Sequence, residues 1–276
     1  MRRTAALLVA ALVAGAAAGQ EKAGPYVPSP TAIVDEMLAL AGVRAGDFVI
    51  DLGSGDGRIV ITAAERYGAR GLGVDIDPAL VALATDNARR AGVADRVRFV
   101  EGDLFAAAVG EASVVTVYLL PHSATRLAAK LRQELPAGAR IVSHDYALAP
   151  WPEDRAVRME VPEKVAISGS ARTVLYLYVV PARVGGDWVL ELPAGVARGP
   201  VRLIARDEPF RAAADAVVGG RRIALGDFAV SGTAVAFTLP AAGAGRLRLE
   251  GRVAGDGMEG EIAGRPGVTW RARRIR

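Results

Sequence analysis

Carboxylates and glycines alternate in one short stretch of the chain, residues 48–60, which reads FVIDLGSGDGRIV. An apolar run of strand length leads into it, and apolar residues return at helical spacing after Gly57. The stretch therefore predicts a strand, a tight turn and a helix. Glycines allow positive φ angles and leave room for a ligand, and the N–H groups that open the helix point into that room. A nucleotide-like ligand is the first hypothesis.

The spacing and charge of this turn narrow the choice of ligand. A dinucleotide fingerprint places its third glycine where this chain has Arg58, which disfavours a nicotinamide oxidoreductase. Asp51 before the turn and Asp56 inside it would repel a pyrophosphate and attract a ligand with a cationic amino-acid portion. S-adenosylmethionine (SAM) has such a portion, with an ammonium, a sulfonium and ribose hydroxyls. Asp51 then holds the ammonium directly or orders the turn.

Two further acidic positions follow strands downstream of the turn. Asp75 ends the second predicted strand, where a carboxylate can accept two hydrogen bonds from ribose hydroxyls, while Asp77 is assigned to a helix cap. Asp103 is placed to accept from an adenine amino group, with Leu104 and Phe105 as walls, the alternative being a simple turn aspartate. The residues predicted from these strand ends to bind the cofactor are Asp51, Gly53, Ser54, Gly55, Asp75, Ile76, Asp103 and Leu104.

Tyr118 and His144 are the candidates for proton exchange with a substrate at these strand ends. Tyr118 ends the fourth strand, where its phenol orients a nucleophile or is a packed aromatic, and both interpretations stay open. The chain has 2 histidines, and histidine exchanges protons near neutral pH. His122 is interpreted as the start of a helix, whereas His144 is favoured for function. A protonated amine cannot attack, so an amine acceptor would lose its proton to water, Tyr118 or His144.

Alternating strands and helices must position these residues. Strands are predicted at 48–52, 70–75, 97–101, 113–119 and 139–144, and helices near 30–40, 57–67, 78–91 and 122–134. Ser29 is predicted to cap the first helix. This alternation implies an α/β fold with a parallel sheet covered on both faces and ligands at the carboxyl ends of the strands. Two further strands, 157–161 and 173–180, suit an antiparallel hairpin that closes the sheet.

The sequence changes character from Gly186 onward, where short β-rich runs lie between Gly and Pro turns. Short strands at this spacing predict a small antiparallel sandwich or barrel. No catalytic constellation is found there, so packing or recognition is the default role. The predicted division is a leader at 1–19, a catalytic domain at 25–181 and a β-rich accessory domain at 186–276.

The leader, residues 1–19, has the charged start, apolar centre and small-residue end of a secretory signal. Its apolar run is shorter than the ~20 residues of a membrane-spanning helix, so we expect cleavage, no remaining membrane span and a periplasmic or envelope location. How a cofactor made in the cytosol would be supplied there is unexplained. The dispersed net charge of +4 does not favour nucleic acid, and the absence of cysteine excludes disulfides and thiol catalysis.

Three acidic motifs, DLGSGDGR, GVDID and EGDLF, occur in this order, and together they resemble the seven-stranded, Rossmann-like SAM-dependent methyltransferases. Within that fold the chain is similar to the lysine methyltransferases of the ATP synthase c-subunit and adenine nucleotide translocase and their prokaryotic relatives. The segments that carry this similarity are PYVP at 25–28, DLGSGDGRIVI at 51–61, Asp103-Leu104, LRQELPAGARI at 131–141 and Trp151.

This resemblance implies a role for Tyr26 and an activity for the chain. Tyr26 would close over the cofactor as part of an N-terminal lid, and Asp51, Gly53, Gly55, Asp75 and Asp103 would bind it. The activity would be methyl transfer from SAM by direct displacement, with proximity and orientation supplying most of the acceleration. The acceptor is an unidentified protein or small molecule, with a protein lysine amine as one option. The alternative is a non-catalytic SAM-binding scaffold of the cell envelope.

Overall fold

A computed structural model describes residues 26–197, 199–243 and 245–275 of the chain. The predicted leader at 1–19 lies outside the described residues, as does residue 25, the predicted start of the catalytic domain. Within the described ranges, no helix combines the length and the apolar character needed to cross a membrane.

Seven strands form the first sheet, in the order β3-β2-β1-β4-β5-β7-β6. Their bounds are β1 Phe48–Leu52, β2 Arg70–Asp75, β3 Val97–Glu101, β4 Val114–Val117, β5 Arg140–His144, β6 Arg155–Glu160 and β7 Arg172–Val179. Strands β1 to β5 are parallel, whereas β7 runs antiparallel to β5 and β6. The predicted α/β class and the closing hairpin are therefore confirmed.

Helices cover both faces of this sheet. They are α1 Thr31–Leu40, α2 Arg58–Tyr67, α3 Pro78–Arg90, α4 Pro121–Glu134 and the short α5 Val165–Ser168, which follows a 3-10 turn at Pro162–Lys164. Because side chains alternate along a strand, Val49 packs with α1 and α2 on one face while Ile50 joins α4 on the other. The predicted Ser29 cap is wrong: Pro30 occupies the cap position, and the Ser29 hydroxyl pairs with His144 instead.

Nine antiparallel strands form the second sheet, in the order β11-β10-β9-β8-β16-β15-β14-β13-β12. Their bounds are β8 Gly186–Glu191, β9 Val201–Asp207, β10 Ala212–Val218, β11 Arg221–Leu225, β12 Ala229–Ser231, β13 Ala234–Pro240, β14 Arg246–Ala254, β15 Gly257–Ile262 and β16 Thr269–Ile275. The two edge strands, β11 and β12, are consecutive in the chain and are joined by residues 226–228 alone.

This short connection shows that the second sheet is curled into a barrel. Three residues and the bonds that flank them span at most ~15 Å, whereas nine flat strands would be roughly 38 Å wide. The sheet encloses one apolar core that includes Trp188, Phe237 and Trp270. The barrel rests on the first domain near Trp151, whose ring centroid lies 6.2 Å from that of Phe210.

Candidate functional site

A cleft of about 390 Å³ opens at the carboxyl ends of β1, β2 and β4. Of the residues predicted to bind the cofactor, Tyr26, Asp51, Gly53, Ser54, Asp75, Ile76, Asp103 and Leu104 line it. Gly55 does not line the cleft, because the Tyr26 ring packs on it: a Cβ built at Gly55 would lie 2.3 Å from Tyr26 Cε2. The structure thus brings together residues from four separate segments of the chain.

The glycine-rich turn is bound to the neighbouring strand β2. Gly53, Gly55 and Gly57 all have positive φ angles, of 88°, 53° and 80°. The N–H groups of Gly53 and Ser54 donate to the Val74 carbonyl at 2.8 and 3.0 Å. These bonds fix the turn against the strand that ends in Asp75, so the cleft is shaped before any ligand arrives.

Asp75 holds its carboxylate in place through two backbone bonds. Its Oδ2 accepts from the Gly55 N–H at 2.8 Å, and its Oδ1 accepts from the Asp77 N–H at 3.0 Å. Each carboxylate oxygen has a second lone pair, and the side chain lines the cleft. The geometry suits a carboxylate that accepts from ribose hydroxyls, which stays a prediction for Asp75. Asp77 accepts from the Ala79 N–H at 2.9 Å, so its predicted capping role is confirmed.

Asp51 is buried beneath the turn, with 3% of its surface exposed. Its Oδ1 accepts from the Thr116 hydroxyl at 2.7 Å and, among the described residues, from no backbone group of the turn. Asp75 therefore orders the turn, and the carboxylate of Asp51 is available to bind a ligand. Burial raises the pKa of Asp51 to about 7, against the bond from Thr116, and the nearby charges of Asp75 and Asp56 raise it further.

Two observations test whether a cationic amino-acid ligand fits beside Asp51. The buried Ser54 hydroxyl has no hydrogen-bond partner in the described part of the chain, although it lines the cleft. A buried polar atom without a partner is costly, so a ligand atom that bonds Ser54 would relieve it. A cation near Asp51 would likewise favour its charged form. The residues present therefore fit the amino-acid end of SAM.

Asp56 requires a correction to the charge argument. The Arg58 guanidinium forks onto the Asp56 carboxylate, with Nη2 at 2.6 Å from Oδ2, and its Nη1 donates to the Ser29 carbonyl at 2.8 Å. Burial alone would raise the pKa of Asp56, but the bonds from Arg58 outweigh it and the pKa is lowered. Asp56 is thus already paired, and the attraction for a cation rests on Asp51.

Asp103 has the turn role that the sequence left open, and its predicted role toward adenine stays a prediction. Its Oδ1 accepts from the Phe105 N–H at 2.8 Å, as a turn aspartate does, and its side chain also lines the cleft. Leu104 and Leu80 line the same wall. Phe105 does not, contrary to prediction, because its ring stacks under the Arg126 guanidinium at 3.8 Å.

Tyr118 lines the cleft directly after β4, and its hydroxyl lies 3.4 Å from Asp145 Oδ2. Burial raises the pKa of Tyr118 to about 12, with the Asp145 charge as a second cause. The phenol is therefore protonated at neutral pH. It can orient an acceptor, but it has no capacity to take the proton of one there.

His144 lies behind Tyr118, with the two ring centroids 3.9 Å apart, and it does not line the cleft. Its Nδ1 is 3.0 Å from Ser29 Oγ and its Nε2 is 2.9 Å from Thr173 Oγ1, and the side chain is 0% exposed. Burial lowers the pKa of His144 to about 4. This geometry contradicts the predicted proton-accepting role, since neither nitrogen is accessible to an acceptor. His122 lies exposed in the first turn of α4, as interpreted.

Several lining residues were not predicted from the sequence. Tyr146 follows β5, so the strand-end rule that selected Asp75 and Asp103 could have found it. Ile167 and Ser168 come from α5, whose four residues are too few for a periodic signal. Leu80 belongs to the first turn of α3.

In this mostly parallel sheet the antiparallel strand β7 is inserted between β5 and β6, and a glycine-rich acidic cleft lies at the switch point. Together they form the architecture of SAM-dependent methyltransferases. The chain matches a family model described as the ANTKMT methyltransferase domain over residues 51–155. It is 38% identical over 157 residues to a protein-lysine N-methyltransferase of Saccharolobus islandicus. The aligned region covers 56% of this chain and 93% of that protein. The chain belongs to this family of SAM-dependent methyltransferases.

Two further comparisons agree on the reaction class and the cofactor. The adenine nucleotide translocase lysine N-methyltransferase of Mus musculus is 41% identical over 128 residues, which are 46% of this chain and 55% of that protein. A crystal structure of an RNA methyltransferase from Salinibacter ruber, in complex with S-adenosyl-L-homocysteine, is 47% identical with a TM-score of 0.52, and the match covers 57% of this chain and 96% of that one. The enzymatic reading is supported, and the scaffold alternative is not. The family model ends before β7, so the barrel lies outside it.

Proposed function

We propose that this methyltransferase modifies lysine amines of proteins. The observation that carries the proposal is the lack of a free basic side chain among the described residues that line the cleft, because the basic residue there, Arg58, is paired with Asp56. The Salinibacter ruber relative is described as an RNA methyltransferase. RNA binding relies on free basic side chains at phosphates, and carboxylates would repel that backbone. The cleft therefore disfavours a nucleic-acid acceptor, and the similarity to a protein-lysine N-methyltransferase supports a protein amine instead.

The rim of the cleft suits the apolar stem of a lysine. Tyr26, Leu120 and Ile167 line the cleft while staying 46%, 47% and 40% exposed. Exposed large apolar side chains gathered at one place mark a binding surface more often than scattered ones do. Methylene groups packed there would direct the amine inward to Tyr118.

Chemical roles follow from the geometry. Bound SAM supplies a methyl group on a sulfonium. Asp75 would accept from its ribose, Asp103 from its adenine, and Asp51 with Ser54 would hold its amino-acid end. Tyr118 orients the acceptor. Because Tyr118 is protonated and both nitrogens of His144 are hydrogen-bonded to Ser29 and Thr173, water at the exposed rim of the cleft takes the proton of the amine.

A labelling experiment tests the acceptor class. The enzyme is incubated with methyl-tritiated SAM and lysate protein, the same protein with its amines acetylated, or total RNA. We expect label on the untreated protein, recovered as methyl-lysine after hydrolysis, and background on the other two. Label on RNA, or label on acetylated protein at the untreated level, would refute the lysine assignment. An Asp75→Ala variant is the control for dependence on the cofactor site.

We also propose that residues 1–19 direct export to the periplasm or envelope. The support is the charged start, the apolar run and the small residues that end it. Intact mass and fractionation test it: a chain shortened by about 19 residues in the envelope fraction supports export, whereas a full-length chain confined to the cytosol contradicts it.

A further inference from the structure

A line of polar groups lies behind Tyr118, and of its members only Tyr118 has a role in the chemistry above. We name it the Asp145 network, and its members are Ser29, Tyr118, His144, Asp145, Lys164 and Thr173. Its central carboxylate, Asp145, follows β5 directly and has a φ angle of 61°, the only positive φ of a non-glycine residue in the described part of the chain. Aspartate is one of the few residues with a Cβ that adopts this left-handed region readily, so the backbone can turn here directly after the strand.

The direction of the hydrogen bonds in the network is set by Asp145. The Thr173 hydroxyl donates to Asp145 Oδ1 at 2.8 Å, so its oxygen accepts from His144 Nε2 at 2.9 Å. His144 is then neutral with its proton on Nε2, and its Nδ1 accepts from the Ser29 hydroxyl at 3.0 Å. Every donor in this line points toward one carboxylate.

The other oxygen of Asp145 is shared between a cation and the phenol. Lys164 Nζ lies 2.7 Å from Oδ2 and also donates to the Arg172 carbonyl at 2.7 Å, with 4% of Lys164 exposed. The Tyr118 hydroxyl lies 3.4 Å from the same Oδ2. An ionised Asp145 has no proton to donate, so the phenol must be the donor in this contact.

We propose that Asp145 is a positioning residue for methyl transfer: it holds the Tyr118 proton on the side away from the cleft, so that the phenol oxygen presents only lone pairs to the acceptor. An amine N–H that donates to this oxygen is held with its nitrogen lone pair free for attack. The inference rests on the proposed amine acceptor, although the Asp145–Tyr118 contact can be tested without one.

The first test measures the contact itself. In protein labelled with ¹³C at tyrosine Cζ, the Tyr118 resonance is assigned by its loss in Tyr118→Phe. We expect Asp145→Asn to shift this resonance, because the phenol loses a charged acceptor. An unchanged Tyr118 resonance in a folded Asp145→Asn variant would overturn the proposal.

The second test is a double-mutant cycle on kcat with poly-L-lysine as acceptor. Asp145→Asn should lower kcat about tenfold with little change in KM, and it should cause no further loss in a Tyr118→Phe background. Independent losses that multiply in the double variant would indicate a merely structural role and refute the proposal. The labelling experiment on lysate protein decides the amine assignment, and the labelled tyrosine decides the Asp145–Tyr118 contact independently of it.

The barrel offers a matched control for both tests. Asp145 also accepts from the Val174 N–H at 3.4 Å, and Asp227 has the same kinds of partners in a more exposed place: a threonine hydroxyl at 2.5 Å, the Thr238 N–H at 3.1 Å and the Arg248 guanidinium at 2.9 Å. Asp227→Asn should therefore lose comparable bonds without changing kcat or the Tyr118 resonance. A kcat loss in Asp227→Asn equal to that in Asp145→Asn would attribute both effects to stability and overturn the proposal.

Discussion

The raised pKa of Asp51 predicts that cofactor binding depends on pH near neutrality. In the free enzyme Asp51 titrates at about 7 because it is buried, and a cationic ligand beside it requires the charged form. If only that form binds, the Kd follows the ionised fraction, which falls from about 0.76 at pH 7.5 to about 0.03 at pH 5.5. The affinity should then weaken about 25-fold over this range, or about 1.9 kcal/mol.

Isothermal titration with S-adenosylhomocysteine measures this effect, in wild type and in Asp51→Asn. The wild-type enzyme should also release about 0.8 proton per ligand at pH 6.5, seen as a dependence of the binding heat on the buffer. Asp51→Asn should bind weakly at both pH values, without proton release. Burial lowers the pKa of His144 to about 4, which is below the pH range of 5.5 to 7.5 used here, so His144 does not contribute. A His122→Gln control removes the other histidine of the chain.

Thermal stability supplies an independent check, because the stability of the free enzyme should fall with rising pH whereas its affinity for the ligand should increase. Because the folded-state pKa of Asp51 is raised, the free enzyme binds a proton that the unfolded chain has lost, and stability declines as the pH rises from about 4 to about 7. The total decline from this group is about 4 kcal/mol. Asp51→Asn should lack it, and so melt above wild type at pH 8 while binding ligand less tightly. Equal pH dependence of affinity in wild type and Asp51→Asn would refute the assignment.

Three further predictions concern single contacts. Asp75→Ala should weaken S-adenosylhomocysteine binding by about 1.5–3 kcal/mol in the same titration, since it removes a charged acceptor and the partner of the Gly55 N–H, and an unchanged Kd would exclude the ribose role. Gly55→Ala should displace the Tyr26 ring, which lies 2.3 Å from the added Cβ, and so weaken ligand binding. A Cβ added at Gly92 meets no atom within 4 Å, so Gly92→Ala should lower stability without changing the Kd. Equal Kd values for the two variants would contradict this prediction. Gly260→Ala should lower the melting temperature strongly, because its Cβ would lie 1.9 Å from the Glu250 carbonyl oxygen, and an unchanged melting curve would show that β14 and β15 can separate there.

Local patterns predicted the elements that position the cleft, and long-range contacts decided what the patterns could not. Strands β1 to β3 have the predicted bounds, since each is a short segment rich in β-branched and other apolar residues between turns. The closure of the barrel was left between two options, because it depends on β8 pairing with β16, about 80 residues later. His144 was favoured from its strand-end position, but its partners Ser29 and Thr173 come from distant segments, and they close both its nitrogens.

The N-terminal segment 26–29 connects the two halves of the site. Tyr26 packs on Gly55 at the cofactor turn, and Ser29 contacts Arg58 through its carbonyl and His144 through its hydroxyl. The segment that covers the cofactor cleft therefore also donates into the Asp145 network behind the acceptor position. Any displacement of this segment removes a donor from His144 and a partner from Arg58 together. Under the proposed roles, cofactor binding and acceptor orientation would be coupled through this one segment, and each ligand would then change the affinity for the other by the same factor.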